Sequence, residues 1–330
     1  MPFVAAGTYG CVYEPAIPCK KGSAKDSASR SRQKDAVSKV FGEHNDFYKE
    51  KNLQKVVISI DPKNKFTRPY YGDCEVDMTN QLDALKCKHV DLNTTTMYKQ
   101  IIYKNGGNDL KNLLRTEGGD YIKLRKVLKG FLPIVKGLHL LSKHGYSHLD
   151  LKPDNILCNL TQSENKSAVL YLIDFGLMTE LDNIFNKRKS FILEHDYVVY
   201  PPEFKMYISK AYKSGYDFIE SFMDNFSVQY KVSDFGRVDA YKVMTEWINY
   251  SRQEQEDDLK DLSKVSDFKK YANKIDIYSL GIILLLLFVW SRSNSIKFAE
   301  LIKSMIRFSP KKRIGNAALV KDFKTVLKSI

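Results

Sequence analysis

The sequence lacks the features that mark a secreted, zinc-binding or membrane-spanning chain. Its five cysteines are odd in number and scattered, and no two of them form a CxxC pair. We therefore expect neither a disulfide framework nor a zinc site, which favours a reducing compartment. The first ten residues contain no basic stretch followed by an apolar one, so we expect no signal peptide. The longest apolar run, Leu280–Trp290, is too short to cross a bilayer and predicts a buried helix.

Acidic residues are in deficit, and the surplus of basic ones says little about partners. The chain has 52 Lys and Arg against 39 Asp and Glu, a net charge of +13. Such a surplus attracts anions, but it does not choose among nucleic acid, membrane and phosphorylated ligands. We interpret most of it as a solvated surface, and no motif of stacking aromatics favours specific nucleic-acid binding. With 330 residues, 43% of them hydrophobic, the chain is not globally disordered and can form one large domain or two modest ones.

Strand and helix patterns are unevenly distributed along the chain. Strand patterns predominate at the start, where one helical pattern over 45–60 interrupts them. Helical patterns dominate after the turn cluster at 105–109. The distribution predicts an α+β fold with two lobes, a small β-rich N-lobe over 1–103 and a larger, mainly helical C-lobe over 104–330.

A glycine turn joins the first two strand-like segments, in the sequence AGTYGCV at 6–12. Glycines at a tight turn let backbone N–H groups approach phosphate oxygens, because no Cβ stands in the way. The apolar side chain of Val12 would form a wall for a base. Alone, the turn is equally typical of an ordinary hairpin.

Four polar residues have the types and spacing that phosphoryl transfer to a hydroxyl requires. Asp150 can accept or orient the hydroxyl proton, and Lys152 can offset charge on the moving phosphoryl group. Asn155 can ligate a metal through its amide oxygen. Asp174 follows an apolar strand pattern and precedes a phenylalanine and a glycine, where it can bridge Mg²⁺ to nucleotide phosphates.

These motifs together resemble the eukaryotic protein kinase superfamily. The pattern HxDxKxxN followed by DFG is far more specific than either piece alone, and the resemblance extends over nearly the whole chain. It implies a bilobal kinase fold, ATP as phosphate donor, and Mg²⁺ or Mn²⁺ as metal. Asp150 and Lys152 would be catalytic, and Asn155 and Asp174 would hold the metal. Lys152 with Asn155 resembles the pattern of kinases that phosphorylate Ser and Thr of proteins rather than Tyr.

The resemblance also assigns N-lobe residues to ATP, which would lie between the lobes. The opening resembles a kinase glycine-rich loop in which Ala5 replaces the first glycine. Lys39 matches the strand lysine that holds the α- and β-phosphates. We prefer Glu50 to Glu43 as its helix partner, because four residues leave no room to turn from strand into helix. Ile101 would be the gatekeeper of the adenine pocket. The residues expected around the nucleotide are Ala5, Ala6, Gly7, Thr8, Tyr9, Gly10, Val12, Lys39, Glu50, the backbone of Ile102 and Lys104, and Leu157.

Three further matches are structural rather than chemical. Glu203, in the sequence PPE, resembles the glutamate that closes a kinase activation segment, and Arg313 resembles its buried ion-pair partner. Asp276 resembles the aspartate that opens the central buried helix. There it would accept backbone N–H groups of the turn at 148–150.

The sequence departs from the family pattern in the middle of the C-lobe. Asp196 replaces the threonine of the substrate-docking segment, and a second DFG at 234–236 lies too far along the chain to reach the same metal. The interval from Glu203 to Asp276 is several times the usual one, which indicates an insertion near 205–270. The insertion is interpreted either as structural compensation for a short C-terminal part or as a platform for a partner.

Other functions fit part of the pattern. A pseudokinase that only binds ATP would normally lack Lys39, Asp150 or Asp174, and all three are present. A small-molecule kinase of similar fold would usually lack Lys152 and the PPE element. We expect a cytoplasmic protein. The opening GTYGCVYEPAIPC also resembles kinases of large DNA viruses, which implies the host cytoplasm or a virion as the location.

Activity should not depend on phosphorylation of the activation segment. Leu149 stands where the family commonly has an arginine that grips a phosphorylated loop, so the usual receiver of that phosphate is missing. Phosphatase treatment should therefore leave the rate of phosphate transfer unchanged. A large loss of rate that maps to a phosphosite within 179–200 would contradict this expectation.

Overall fold

A computed structural model divides the chain into two compact units, residues 1–107 and 108–330. The residues that it describes are 3–7, 9–20, 35–79, 81, 83, 86–160, 167–187, 200–204, 246–247 and 269–330. The predicted boundary after residue 103 comes slightly early, because Asn105 still belongs to the small unit. Its backbone N–H donates to the Asp35 carbonyl oxygen at 3.0 Å, and its side chain donates to the Glu14 carboxylate at 2.5 Å.

The small unit is built around a five-stranded antiparallel sheet in the order β1-β2-β3-β5-β4. Its strands are β1 (Phe3–Ala6), β2 (Gly10–Tyr13), β3 (Ala36–Phe41), β4 (Tyr70–Asp77) and β5 (Met97–Lys104). Sequence patterns predict every strand except β4, whose first half, YYGD, shows no alternation of apolar and polar residues. The unpredicted β4 is an edge strand, and its pairing with β5 makes β5 an internal strand of the sheet.

One helix, α1 (His44–Ile60), contacts β3 and β5 of this sheet. Its bounds agree with the helical pattern over 45–60. The buried residues of α1 recur at helical spacing and form one face: Phe47, Glu50, Gln54, Val57 and Ile60. Two members of that inner face are polar, so each needs a partner inside the unit.

Two disulfides cross-link the small unit, and the expectation of no disulfide was wrong. Cys11 is bonded to Cys87, and Cys19 is bonded to Cys74. The partners are 76 and 55 residues apart in sequence, and folding of the sheet brings their Cα atoms to 5.9 and 5.8 Å. Cysteine spacing gives no sign of this. The expectation of a reducing compartment rested on the absence of disulfides and loses that support.

The large unit is mainly helical, as predicted for the C-lobe. Its main helices within the described residues are α2 (Leu110–Thr116), α3 (Tyr121–Lys143), α4 (Ile275–Trp290), α5 (Ile296–Met305) and α6 (Asn316–Ser329). Its short strands are β6 (Tyr146–Ser147), β7 (Ile156–Asn159), β8 (Val169–Leu172) and β9 (Thr179–Glu180). A sheet in one unit and helices in the other confirm the α+β, two-lobe class.

Two short antiparallel ladders position the functional segments of the large unit. β6 pairs with β9, and β7 pairs with β8. The chain between β6 and β7 spans 148–155, and the chain between β8 and β9 spans 173–178. Because both ladders join the ends of these two segments, the segments lie next to each other.

The helix α4 forms the core of the large unit. All but one of its 16 residues are buried, as the apolar run at its C-terminal end predicts. Among the described residues, the stretch Ala272–Trp290 is long and apolar enough to cross a membrane, but 83% of that window is buried inside the structure. Such burial is the pattern of a core helix.

A buried ion pair joins Glu203 to Arg313. The Arg313 Nη2 lies 2.9 Å from Glu203 Oε2, and the side chains of Arg313 and Glu203 are only 0% and 4% exposed. Arg313 also donates to the Arg307 carbonyl oxygen at 2.8 Å. The bidentate pair therefore ties the PPE segment to the chain just before α6, as the sequence resemblance implies.

Replacing Glu203 by glutamine should destabilise the protein by about 3–5 kcal/mol, because the Arg313 cation would stay buried without its counter-charge. Urea unfolding of the two proteins measures this difference. The matched control is Glu117→Gln, which removes the half-exposed ion pair with Lys123 and should cost less than about 1 kcal/mol. Equal losses in both variants would show that the buried pair does not contribute as argued.

Candidate active site

The turn at 148–150 is held by the buried carboxylate of Asp276 at the start of α4. Asp276 Oδ2 accepts the His148 backbone N–H at 2.7 Å, and Oδ1 accepts that of Leu149 at 3.0 Å. Leu149 adopts a left-handed φ of 62°, which costs a non-glycine residue about 1–3 kcal/mol. The two charge-assisted hydrogen bonds offset that cost and fix the path of the chain into Asp150.

His148 is a core residue that links this turn to the next functional segment. Its Nδ1 accepts the Asp150 backbone N–H at 3.2 Å, so the proton lies on Nε2, which donates to the Ile173 carbonyl oxygen at 3.1 Å. Burial lowers the pKa of His148 and keeps the ring neutral. The ring packs edge-on against Phe175 at 4.8 Å between centroids, as the sequence interpretation of a core histidine expected.

Asp150, Lys152 and Asn155 form one hydrogen-bonded cluster. Lys152 Nζ lies 3.0 Å from Asp150 Oδ1, and Asn155 Nδ2 donates to Asp150 Oδ2 at 2.6 Å. Asn155 Nδ2 also donates to the Asp150 backbone oxygen at 2.9 Å. The sequence places these residue types in order along the chain, and the structure brings their functional atoms together.

Asp174 lies beside this cluster. The Ile173 backbone N–H donates to the Asn155 carbonyl oxygen at 3.0 Å, which joins the two segments directly. Asp174 has a left-handed φ of 58°, and its carboxylate accepts the Gly176 N–H at 3.3 Å. Unlike the buried Asp150, Asp174 is exposed, so it can accept a ligand that arrives from solvent.

The environment of Asp150 makes it a stronger base than an ordinary aspartate. Burial raises the pKa of its carboxyl to about 6, and the negative charge of Asp174 acts in the same direction. The charge and hydrogen bond of Lys152 and the hydrogen bond from Asn155 oppose this rise. The carboxylate is therefore ionised at neutral pH, and its pKa lies closer to neutral pH than that of a solvated aspartate.

The Lys152 ammonium stays charged although it is largely buried. Burial alone would lower the pKa of Lys152, but the charge and hydrogen bond of Asp150 raise it, and so do the charges of Asp174 and Asp154. The net effect is a raised pKa. A fixed cation beside the Asp150 carboxylate can stabilise negative charge on a group bound there.

The donor set fits a magnesium ion bound together with phosphates. Both hydrogen bonds of the Asn155 side chain to Asp150 use its Nδ2, which leaves Oδ1 to act as an acceptor. Asp174 adds an accessible carboxylate. Mg²⁺ typically takes one or two carboxylates plus substrate phosphates and water. Within the described ranges, no group of three or more His, Cys, Asp and Glu residues could hold a metal ion.

In the small unit, the structure pairs Lys39 with Glu50 rather than Glu43. Lys39 Nζ lies 2.5 Å from Glu50 Oε2, and both side chains are about one-tenth exposed. The Tyr103 hydroxyl lies 3.4 Å from Glu50 Oε1 and 3.4 Å from Gln54 Oε1. These two contacts supply partners for the polar residues on the inner face of α1. Tyr103 was missed by sequence reasoning because nothing in its neighbourhood along the chain points to α1.

The glycine-rich turn lies at the exposed end of the β1–β2 hairpin. The Gly7 N–H donates to the Gly10 carbonyl oxygen at 2.8 Å and closes the turn. Gly10 packs so closely on β3 that a Cβ atom would come within 2.3 Å of the Val40 carbonyl oxygen. The other predicted loop residues, Ala5, Ala6, Tyr9 and Val12, lie on the same hairpin, and Thr8 lies outside the described residues.

The predicted adenine contacts of Ile102 and Lys104 do not fit the hydrogen bonding of β5. The Lys104 N–H donates to the Pro69 carbonyl oxygen at 2.9 Å. Ile102 lies inside two ladders, so its backbone groups are directed at neighbouring strands. The motif resemblance could not show that β4 pairs with β5 and extends the sheet on this side. Leu157, the predicted floor residue, is buried on β7 of the large unit.

One ion pair beside the catalytic cluster carried no sequence signal. Lys111 Nζ on α2 lies 2.8 Å from Asp154 Oδ1, and both side chains are more than one-third exposed. The two residues are far apart in sequence, so only the fold shows the contact. Asp196, the second DFG and nearly all of the predicted insertion lie outside the described residues.

Comparisons with known proteins point to the same chemistry as the geometry. Residues 76–218 match the protein kinase domain family. A protein of Acanthamoeba polyphaga mimivirus, named as a candidate serine/threonine-protein kinase, is 32% identical over 137 residues, 40% of this chain and 47% of the relative. The proto-oncogene serine/threonine-protein kinase mos of Sus scrofa is 34% identical over 85 residues, 26% of this chain and 23% of the relative. A solved crystal structure of a kinase domain aligns with 97% of this chain and 92% of its own at 18% identity, with a TM-score of 0.47.

The catalytic cluster, the buried Glu203–Arg313 pair and the family match are all features that this chain shares with protein kinases. Over the matched residues, the chain is similar to the eukaryotic-type protein kinase superfamily that its motifs resemble. It spans less than half the length of the two curated relatives it is compared with. Members of this family transfer phosphate from ATP to proteins with the help of a divalent metal.

The Asp150 carboxyl should titrate near pH 6 in the protein free of metal and nucleotide. Carbon-13 NMR of aspartate-labelled protein measures this value, and the signal missing from Asp150→Asn identifies the resonance. Lys152→Met should move the midpoint above 6, because it removes the cation that favours the ionised form. Lys111→Met, which removes a neighbouring cation that pairs with Asp154, should leave it unchanged. A midpoint near 4 in the parent protein would contradict the proposed effect of burial.

Proposed function

We propose that the chain is an active, ATP- and Mg²⁺-dependent kinase that transfers the γ-phosphate to Ser and Thr hydroxyls of protein substrates. The observation that carries this proposal is the cluster of Asp150, Lys152 and Asn155 beside Asp174. A carboxylate base, a fixed cation and two oxygen ligands are the groups that this reaction needs. No other arrangement in the described part of the chain combines them.

In the proposed reaction, Asp150 orients the substrate hydroxyl and accepts its proton. A carboxylate with a pKa of about 6 is ionised at neutral pH and still basic enough to take a proton as the oxygen bonds to phosphorus. The hydrogen bond from Asn155 Nδ2 to Oδ2 fixes the carboxylate plane. Positioning of this kind, rather than covalent chemistry, is the main source of rate in phosphoryl transfer.

Lys152 would stabilise the phosphoryl group during transfer. Its ammonium is held 3.0 Å from Asp150 Oδ1, so it would lie near the oxygen that attacks. The charges around it raise its pKa, so the cation is kept even as a substrate excludes water. A bound Mg²⁺, held by Asn155 Oδ1 and the Asp174 carboxylate, would neutralise phosphate charge.

The small unit would contribute the groups that hold the nucleotide phosphates. Lys39 is fixed by Glu50, which is itself placed by the inner face of α1. The amide groups of the glycine-rich turn would meet the phosphates without a side chain in the way. The adenine would need backbone partners other than the Lys104 N–H, which is engaged with the Pro69 carbonyl oxygen.

The specificity for Ser and Thr rests on Lys152 and Asn155, which share their pattern with the serine/threonine kinases. The mimivirus relative supports a viral origin. We place the enzyme in the host cytoplasm or in the virion. The two disulfides favour an oxidising setting, such as the virion surface, over the reducing cytoplasm.

Phosphate transfer should depend on Asp150 and Asp174 in different ways. With a Ser/Thr peptide library, Asp150→Asn should keep ATP affinity and lose about 10²–10⁴-fold in kcat, because the base is lost while the nucleotide site remains. Asp174→Ala should lose Mg²⁺-dependent ATP binding. Radiolabel transfer from ATP and calorimetric nucleotide titration give the two quantities.

The control is Asp322→Asn, which changes an exposed carboxylate on α6 and should behave as the parent protein. Near-normal turnover in Asp150→Asn would refute the assignment of the base. ATP binding without transfer to any peptide, in the parent protein, would identify the chain as a pseudokinase.

A further inference from the structure

The connection between β4 and β5 is fastened to the glycine-rich hairpin of the small unit. We call its residues 83–91 the tether, of which 83 and 86–91 are described. The Phe3 backbone N–H donates to Asp83 Oδ2 at 3.1 Å at the start of β1. Cys87 is disulfide-bonded to Cys11 on β2. The tether therefore holds both strands of the hairpin that carries the phosphate-binding turn.

The tether also reaches the turn itself. His89 Nε2 lies 2.9 Å from the Gly7 carbonyl oxygen. A carbonyl oxygen can only accept, so Nε2 donates. The bond fixes the orientation of the Gly7 peptide group and occupies an oxygen that would otherwise be free to turn towards the negative phosphate oxygens. Three contacts of different chemistry thus converge on one hairpin.

The tether is itself positioned by the sheet. A Cβ atom at Gly42, directly after β3, would come within 2.7 Å of the His89 carbonyl oxygen. Glycine is therefore required there for the tether to pass so close. Since β3 also carries Lys39, one strand positions both the phosphate-binding lysine and the tether.

The outer strand of the hairpin, β1, has little else to hold it. β1 is an edge strand, and Val4, Ala5 and Ala6 are exposed. Its pairing with β2 is irregular between Phe3 and Ala5. Few buried apolar contacts and a short irregular ladder are the marks of a segment that opens easily. The contacts of the tether with β1 and with its partner strand β2 therefore contribute to the order of the hairpin.

We propose that the tether is a positioning element for ATP, and that the Cys11–Cys87 disulfide makes ATP affinity depend on the thiol redox state. This rests on the proposed function, in which the glycine-rich turn holds the nucleotide phosphates. With the disulfide intact, the turn is ordered before ATP arrives, so binding does not bear the full cost of ordering it. His89 is a positioning residue of the same element.

The redox step is a thiol–disulfide exchange with a dithiol. Two electrons and two protons pass from the dithiol to the protein, the bond between the Cys11 and Cys87 sulfurs breaks, and each sulfur becomes a thiol. The dithiol becomes a cyclic disulfide. The reverse step requires a disulfide oxidant that is reduced to two thiols.

The second disulfide provides a matched control. Cys19–Cys74 joins the segment after β2 to β4 in the same unit, and neither cysteine lies in the glycine-rich turn at 6–12. Its removal takes away the same kind of covalent bond while leaving the bond between the tether and the hairpin in place. The two double variants are Cys11→Ser with Cys87→Ser, and Cys19→Ser with Cys74→Ser.

We expect the first double variant to raise the KM for ATP about tenfold while kcat changes little, because only preorganisation of the turn is lost. The control double variant should stay within about twofold. Dithiothreitol should raise the KM of the parent protein to the same extent and have no further effect on the first variant. In the absence of nucleotide, amide hydrogen exchange over residues 3–13 should become faster in the first variant and stay unchanged in the control.

His89→Ala keeps both disulfides and tests the tether if the cysteine variant does not fold. It should raise the KM for ATP with kcat retained, and His89→Gln, which can still donate a hydrogen bond, should restore part of the affinity. A merely structural role would instead lower the unfolding temperature of both variants alike.

Three results would overturn the proposal. One is alkylation of Cys11 and Cys87 in the native, unreduced protein. Another is an equal KM for ATP in the two double variants, and the third is unchanged hydrogen exchange over 3–13 when Cys11–Cys87 is removed. If no form of the protein binds ATP, the proposed function fails, while hydrogen exchange still reports on the tether.

Discussion

Acceptance of two backbone N–H groups by the Asp276 carboxylate is the interaction on which the active site depends. It fixes His148 and Leu149 in a turn that includes an unfavourable left-handed residue. This turn then directs the Asp150 side chain towards Lys152 and Asn155. Because Asp276 opens the most buried helix of the large unit, the geometry of the reactive groups is anchored in its hydrophobic core.

The electrostatics of the cluster follow from its burial. A carboxylate taken out of water becomes more basic, and a nearby cation limits the change so that the group remains ionised at neutral pH. The charges of Asp150 and Asp174 raise the pKa of Lys152 and keep it protonated. Asp174 remains exposed beside them, so the site combines a partly desolvated base with a carboxylate that is accessible to a metal and its ligands.

In the small unit, specific polar and covalent contacts order Lys39 and the glycine-rich hairpin. Lys39 is held by Glu50 from the inner face of α1. The glycine-rich hairpin lies at the sheet edge and is held by a disulfide, a histidine and an aspartate of one connection. For the exposed strand β1, these covalent and polar contacts supplement the apolar core into which β2 packs.

The sequence by itself determined the residue types of the catalytic cluster, because Asp150, Lys152 and Asn155 lie within one short turn where local spacing is enough. It also determined Lys39, the helix that carries Glu50, and the buried character of α4, since helical periodicity and apolar runs are local patterns. Only the tertiary structure decided which distant residues meet. The pairing of Cys11 with Cys87, the bond from His89 to Gly7, and the bond from the Lys104 N–H to Pro69 in place of the predicted adenine contact all depend on how distant segments of the chain meet. Strand order depends on contacts between segments far apart in the chain, and no local pattern records it.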